Sequence, residues 1–275
     1  MLLAATAAAF GLLAGACGGG SSDNNSGGTT TPSGSVAPET AAPGGSEAPT
    51  SEAGSTTAPA AQATPGGKVI MGIEADTSSP WMPAEMVCAL SCHQIIKAIY
   101  DPMLIPNEDG GWSPYLLESL TPNADYTVWT MKARPGIMFH DGTPLDGAAL
   151  ADNVTRFQKG ILTGAYFSNV ESATVNPADP LAVDVKMKTP WVTFPEVLLI
   201  GQIDYIASPT WMAAADKDET LKSKPVGTGP FVYEDYKPNE FFKAKKNPTY
   251  WNKPYPYLDE IEFRPIPDAL NRRDA

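Results

Sequence analysis

Side chains able to act as nucleophile, base or metal ligand are few in this sequence and poorly grouped. It holds two histidines, His93 and His140, and three cysteines, Cys17, Cys88 and Cys92. Hydrolysis needs a converging nucleophile, base and orienting group, and a zinc site needs ligands at short recurring spacings. Neither histidine sits in an HExxH pattern, and no serine sits in a GxSxG elbow. His93 is expected on a helix face and His140 beside a turn, both as structural residues. No catalytic residue, metal site or cofactor is expected.

Cys88 and Cys92 flank Ala89-Leu90-Ser91. An exported protein would oxidise such a pair. Four residues apart on an intact helix their Cβ atoms are too distant, so a bridge requires a loop or a distorted first turn. The alternative is two separate buried thiols; zinc would need two further ligands that the spacing does not supply. Among six tryptophans, Trp81 stands in the turn-rich segment Ser78-Ser79-Pro80-Trp81-Met82-Pro83 and is the one expected to meet a ligand, with core packing as its alternative.

The elements that must position these residues begin at Lys68. Val69 to Ile73 is an apolar run without alternation, which suits a strand buried on both faces. Ile95, Ile96, Ile99 and Tyr100 recur at helical spacing before Asp101-Pro102 stops the helix. Tyr126 to Arg134 reads as a strand with Trp129, Met131 and Ala133 on one face and a Pro135-Gly136 turn at its end. Asp146 is placed to cap a helix whose buried stripe is Leu150, Val154 and Phe157. Leu181 to Lys188 alternates cleanly, and two further strands fall near Phe241 to Lys245 and Asp259 to Arg264. Gly227-Thr228-Gly229-Pro230 reads as backbone needing positive φ before a strand, and Asn247-Pro248 as a turn that ends one. Mixed strands and helices predict an α/β architecture.

The residues before Lys68 have a different character. Met1 to Ala16 is uncharged and apolar, too short to span a bilayer, and ends in small residues, as a signal peptide does. Ala14-Gly15-Ala16-Cys17 resembles a bacterial lipobox, so Cys17 is expected to carry a diacylglycerol. Residues 17–66 form a Gly/Ser/Thr/Pro/Ala tract with too little apolar surface to repay ordering, expected to serve as a disordered tether. Four acidic residues precede Lys68, leaving −8 of the total −12 beyond it. That balance excludes a basic nucleic-acid footprint and leaves the lipid as the only membrane contact. The protein is expected at the outer face of the bacterial cytoplasmic membrane, as a monomer.

Several phrases together resemble family 5 of the extracytoplasmic solute-binding proteins, the dipeptide, oligopeptide and nickel-binding components of ABC importers. They are Ile99-Tyr100-Asp101-Pro102-Met103-Leu104, Arg134 to Leu145 (RPGIMFHDGTPL), Pro225 to Phe231 (PVGTGPF), Asn247-Pro248-Thr249-Tyr250-Trp251 and Leu258 to Asp268 (LDEIEFRPIPD). The resemblance implies a type II periplasmic-binding-protein-like α/β fold of two lobes closing on a ligand. Residues 67–275 would be its truncated N-terminal part, with the first lobe mostly present and the second largely missing. It also implies capture of a small solute, a peptide first among candidates, for a permease and an ATPase. In that register Cys88-Ala89-Leu90-Ser91-Cys92 lies at the cleft rim, and Tyr166 and Phe167 follow in a loop that lines the pocket. The competing readings are a secreted hydrolase with an undetected site and a surface receptor or adhesin on the same fold.

Overall fold

The computed structural model describes residues 64–76, 81–87 and 90–274. They lie in one unit, Pro59–Ala275. The expected signal peptide, Cys17 and all but the last few tether residues lie outside the described residues, as do Cys88 and Ala89.

In chain order the elements are β1 (Lys68–Ile73), α1 (Leu90–Ile99), β2 (Leu104–Pro106), β3 (Trp112–Pro114), β4 (Leu117–Pro122) and β5 (Val128–Ala133). Then come α2 (Gly147–Lys159), α3 (Thr163–Tyr166), β6 (Val170–Val175), β7 (Ala182–Met187), α4 (Phe194–Val197) and α5 (Pro209–Ala215). The chain continues through β8 (Phe231–Lys237), β9 (Phe241–Lys246), β10 (Glu260–Pro265) and α6 (Ala269–Asp274). Single 3-10 turns form at Gly201–Asp204 and Glu219–Ser223.

Two four-stranded sheets carry the fold. The first has the order β1-β10-β9-β8, with β1 parallel to β10 and the other pairs antiparallel. Ile95, Ile96 and Ile99 of α1 are buried with Phe242 and Phe263 of this sheet, as the helical spacing predicts. The second sheet is antiparallel throughout, in the order β4-β5-β7-β6. Leu150, Val154 and Phe157 of α2 pack with Met131, Val183 and Val185. The Asp146 carboxylate accepts a 2.9 Å hydrogen bond from the Ala149 amide and caps α2 as its position predicts.

Two expectations fail for identifiable reasons. The strand at Val69–Ile73 forms, but it is not buried on both faces: only Ile73 is buried, because β1 ends the sheet and has a partner on the β10 side alone. Gly227 and Gly229 do not adopt positive φ. They are glycines because a Cβ at Gly227 would stand 2.2 Å from the Ile99 carbonyl oxygen, and one at Gly229 would stand 2.6 Å from it. The loop lies flat against the end of α1, and the Gly229 amide donates to that same oxygen at 2.9 Å.

Two buried acidic residues, Glu262 and Asp101, tie parts of this scaffold together. Glu262 of β10 is almost fully covered and bonded by Lys68 Nζ of β1 at 2.6 Å and by Arg264 Nε at 2.6 Å. Burial pushes its carboxyl up, but the two cations outweigh that and the net shift is downward. Asp101, just after α1, accepts from the Tyr250 hydroxyl at 2.7 Å, Trp251 Nε1 at 2.9 Å and the Thr228 hydroxyl at 3.1 Å. It fastens α1 to both the glycine loop and the Asn247–Trp251 turn. Burial raises its pKa, and the three bonds oppose that rise.

Candidate functional site

Three short segments converge beside the N-terminal half of α1. Thr163 folds α3 back on α2 by donating its hydroxyl to the Phe157 carbonyl at 2.7 Å. Asn153, buried in α2, donates to Ala207 O at 2.9 Å and accepts from Ala207 N at 3.0 Å, which holds the chain that follows the Gly201–Asp204 turn. Gln202 of that turn donates to Met86 O at 2.6 Å and fixes the segment leading toward α1. A Cβ at Gly160 would meet Ala84 O at 2.2 Å, so the segment carrying Met82 to Met86 presses directly on the end of α2.

Between them lies an open groove of about 480 Å³. Ile161, Leu162, Ala165 and Tyr166 form one wall, and Ile200 to Ile203 form the other; His93 of α1 closes one end. Its apolar residues are uncovered to an unusual degree: Ile161 is 90% exposed, Leu162 44%, Tyr166 45% and Ile200 40%. Gly201 has φ +50°, and a Cβ there would stand 3.2 Å from His93 Cε1, so the imidazole packs over bare backbone. Burial, with the Lys97 ammonium one helical turn on, holds His93 below the usual imidazole range. It is neutral at pH 7.

The sequence-derived candidates divide. Tyr166 lines the groove. Leu90, 83% exposed, stands three residues before His93 on the same helix, and Ser91 is buried with its hydroxyl accepting the Ala75 amide at 3.3 Å. Phe167 is not a pocket residue: it is buried and stacks on Phe157 at 5.3 Å between ring centroids. Trp81 is likewise a core residue, 1% exposed, with its ring edge-on to Phe242 at 5.2 Å and Tyr236 at 5.7 Å. Each ring is buried because it joins an aromatic cluster: Trp81 that of the first sheet, and Phe167 that of Phe157 on α2 and Phe194 on α4. Cys92 is buried and disulfide-bonded, while Cys88 lies outside the described residues. His140 is structural, facing Gly229 O at 3.0 Å through Nε2 and accepting from Gly227 N through Nδ1 at 3.3 Å.

Ile161, Leu162 and Ile200 to Ile203 were not marked by the sequence. Isolated apolar residues beside a glycine read as core, and only the meeting of α3 with the Gly201–Asp204 turn shows that Ile161, Leu162 and Ile200 face outward while Ile203 is buried beneath them.

A buried acid stands behind the groove. Asp204, last residue of the turn that forms one wall, is 8% exposed, and its Oδ1 has no hydrogen-bond partner among the described residues. Burial pushes its carboxyl up to about 8, against the opposing effects of its own backbone amide and the Lys97 ammonium.

The family model for bacterial extracellular solute-binding proteins, family 5, matches residues 111–275. The glutathione-binding protein GsiB of Shigella flexneri is 29% identical over 181 residues, covering 65% of this chain and 34% of its own length. The same protein of Escherichia coli K12 gives the same identity and coverage. The chain therefore spans about a third of the length of these curated relatives. Among solved structures, AgaA of A. tumefaciens R10 in complex with agropinic acid is 25% identical with a TM-score of 0.66, over 76% of this chain and 42% of that one. DppA of Helicobacter pylori in complex with the peptide STSA is 23% identical with a TM-score of 0.64, over 78% and 45%. These relatives are binding proteins, not enzymes, and the shared fold is the type II periplasmic-binding-protein α/β architecture.

Proposed function

The chain belongs to the family 5 bacterial extracellular solute-binding proteins, and we propose that it is the first lobe of a receptor that captures a peptide-like solute for an ABC importer. The observation that carries this reading is the groove between α3, the Gly201–Asp204 turn and α1. It gathers exposed apolar side chains into one concave surface, which a binding site requires and a scaffold does not. Hinge closure of a second lobe over it would enclose the ligand. Its partners are a permease and an ATPase.

The same reading takes Met1 to Ala16 as an export signal, Cys17 as the lipidated residue and residues 17–66 as the tether. It pairs Cys92 with Cys88, a link that would stiffen the chain at the groove's edge and lower the ordering cost of binding. The test has two parts. Cells lacking the gene are assayed for uptake of labelled di- and tripeptides, with glutathione included because the curated relatives are named for it. The purified full polypeptide is titrated with the same solutes by calorimetry. Loss of uptake with micromolar or tighter binding supports the reading. Unchanged uptake and no binding by any of them sinks it.

A further inference from the structure

We propose that the groove seats an uncharged, apolar side chain of the captured solute, so that the receptor rejects solutes presenting a charge at that position. This rests on the reading of the groove as a ligand site and adds the chemistry it selects.

Ile161, Leu162, Tyr166 and Ile200 turn apolar surface to the opening. Two polar side chains of the lining are already engaged: the Gln202 amide donates to Met86 O and the Thr163 hydroxyl to Phe157 O. His93 is neutral at pH 7, and its ring packs on Gly201. No Asp, Glu, Lys or Arg lines the groove among the described residues. An ammonium or carboxylate entering here would lose water and find no counter-charge. A leucine or phenylalanine side chain would lose only apolar surface, which is favourable in proportion to the area buried. Burial of such a side chain corresponds to roughly 10- to 100-fold in affinity.

The test uses the full polypeptide, with the δ-methyl groups of its isoleucines isotope-labelled. Ala-Phe-Ala, Ala-Leu-Ala, Ala-Lys-Ala and Ala-Glu-Ala are titrated by calorimetry, and the Ile161, Ile200 and Ile203 methyl resonances are followed. The expected result is binding of the Phe and Leu peptides about 10-fold or more tighter than the Lys and Glu peptides, with shifts at those methyls. Ile200→Asp, at an exposed position, should weaken Ala-Phe-Ala about 10-fold and strengthen Ala-Lys-Ala. Equal affinity across the four, or preference for a charged peptide, overturns the proposal. Should no tripeptide bind, the peptide-capture reading falls and indole decides the groove. Saturable shifts of the three methyls by indole, absent with methylguanidinium, support an apolar subsite. No shift, or methyls already covered by another part of the polypeptide, overturns it.

Discussion

Asp204 offers the sharpest test of the energetics. Its carboxyl is 8% exposed, Oδ1 has no hydrogen-bond partner among the described residues, and burial pushes its pKa from 3.8 up to about 8. Between those two values the folded chain keeps a proton that the unfolded chain has released. Stability contributed by this group is therefore complete below about pH 4 and is lost as pH rises toward 8. Each pH unit in that window costs about 1.4 kcal/mol, so the whole excursion has a ceiling of about 6 kcal/mol. Asp204→Asn keeps the shape and removes the titration. Urea denaturation of both proteins at pH 5, 7 and 9 isolates the group, because His93, His140 and every other titrating site are common to the pair. The variant should gain on the parent by about 1.4 kcal/mol per unit from pH 5 to 7 and more slowly above pH 8. A difference that is constant with pH, or one that shrinks as pH rises, refutes the reasoning.

Other outcomes follow from single contacts. Gly227→Ala drives a methyl to 2.2 Å from the Ile99 carbonyl oxygen and should cost more than ~3 kcal/mol. Gly136→Ala, at φ +79° with open space around it, should cost only ~1 kcal/mol in the same thermal melts. Lys68→Ala removes one of the two cations on Glu262 and should lower stability at pH 7 by ~1 kcal/mol. That loss should fade as pH falls through the depressed pKa of Glu262, because a protonated carboxyl no longer needs the ammonium; urea titrations at pH 7 and pH 3 check it. Trp81→Phe deletes a buried indole N–H that has no partner among the described residues, offsetting the lost volume. Stability should change by less than ~1.5 kcal/mol and solute affinity by less than about twofold, whereas a ligand-contacting Trp81 would show a large loss in equilibrium dialysis.

Where periodicity reported burial directly, the sequence sufficed. Leu150, Val154 and Phe157 formed the inner stripe of α2, and Trp129, Met131 and Ala133 alternated inward along β5, because each pattern has one face to satisfy. It failed where a residue's role depends on a distant neighbour. The run Val69–Ile73 looks the same whether its strand is central or terminal, and only the β1-β10-β9-β8 order decides. Gly227 and Gly229 look like turn glycines until Ile99 is brought against them. Trp81 stands in a turn-rich segment, which suggests exposure, yet the segment folds onto Phe242 and carries the ring inside. Phe167, adjacent to Tyr166, points the other way for the plain reason that successive residues at the end of a helical turn diverge; one side chain meets Phe157 and the other meets solvent.

The groove depends on α1 more than on the walls that surround it. The far end of α1 is gripped by the glycine loop and by the Asp101 network, so the helix cannot slide. His93 packs on Gly201, and Lys97, one turn on along α1, lies within electrostatic reach of the Asp204 carboxyl on the opposing 3-10 turn. The helix thus sets the distance between itself and the wall that carries Ile200. Ionisation of Asp204 should draw its carboxylate toward the Lys97 ammonium or toward water, and so is expected to change the width of the groove. Solute affinity that weakens above pH 8 in the parent, but not in Asp204→Asn, is the corresponding expectation, and calorimetric titration of both proteins at pH 5, 7 and 9 reads it.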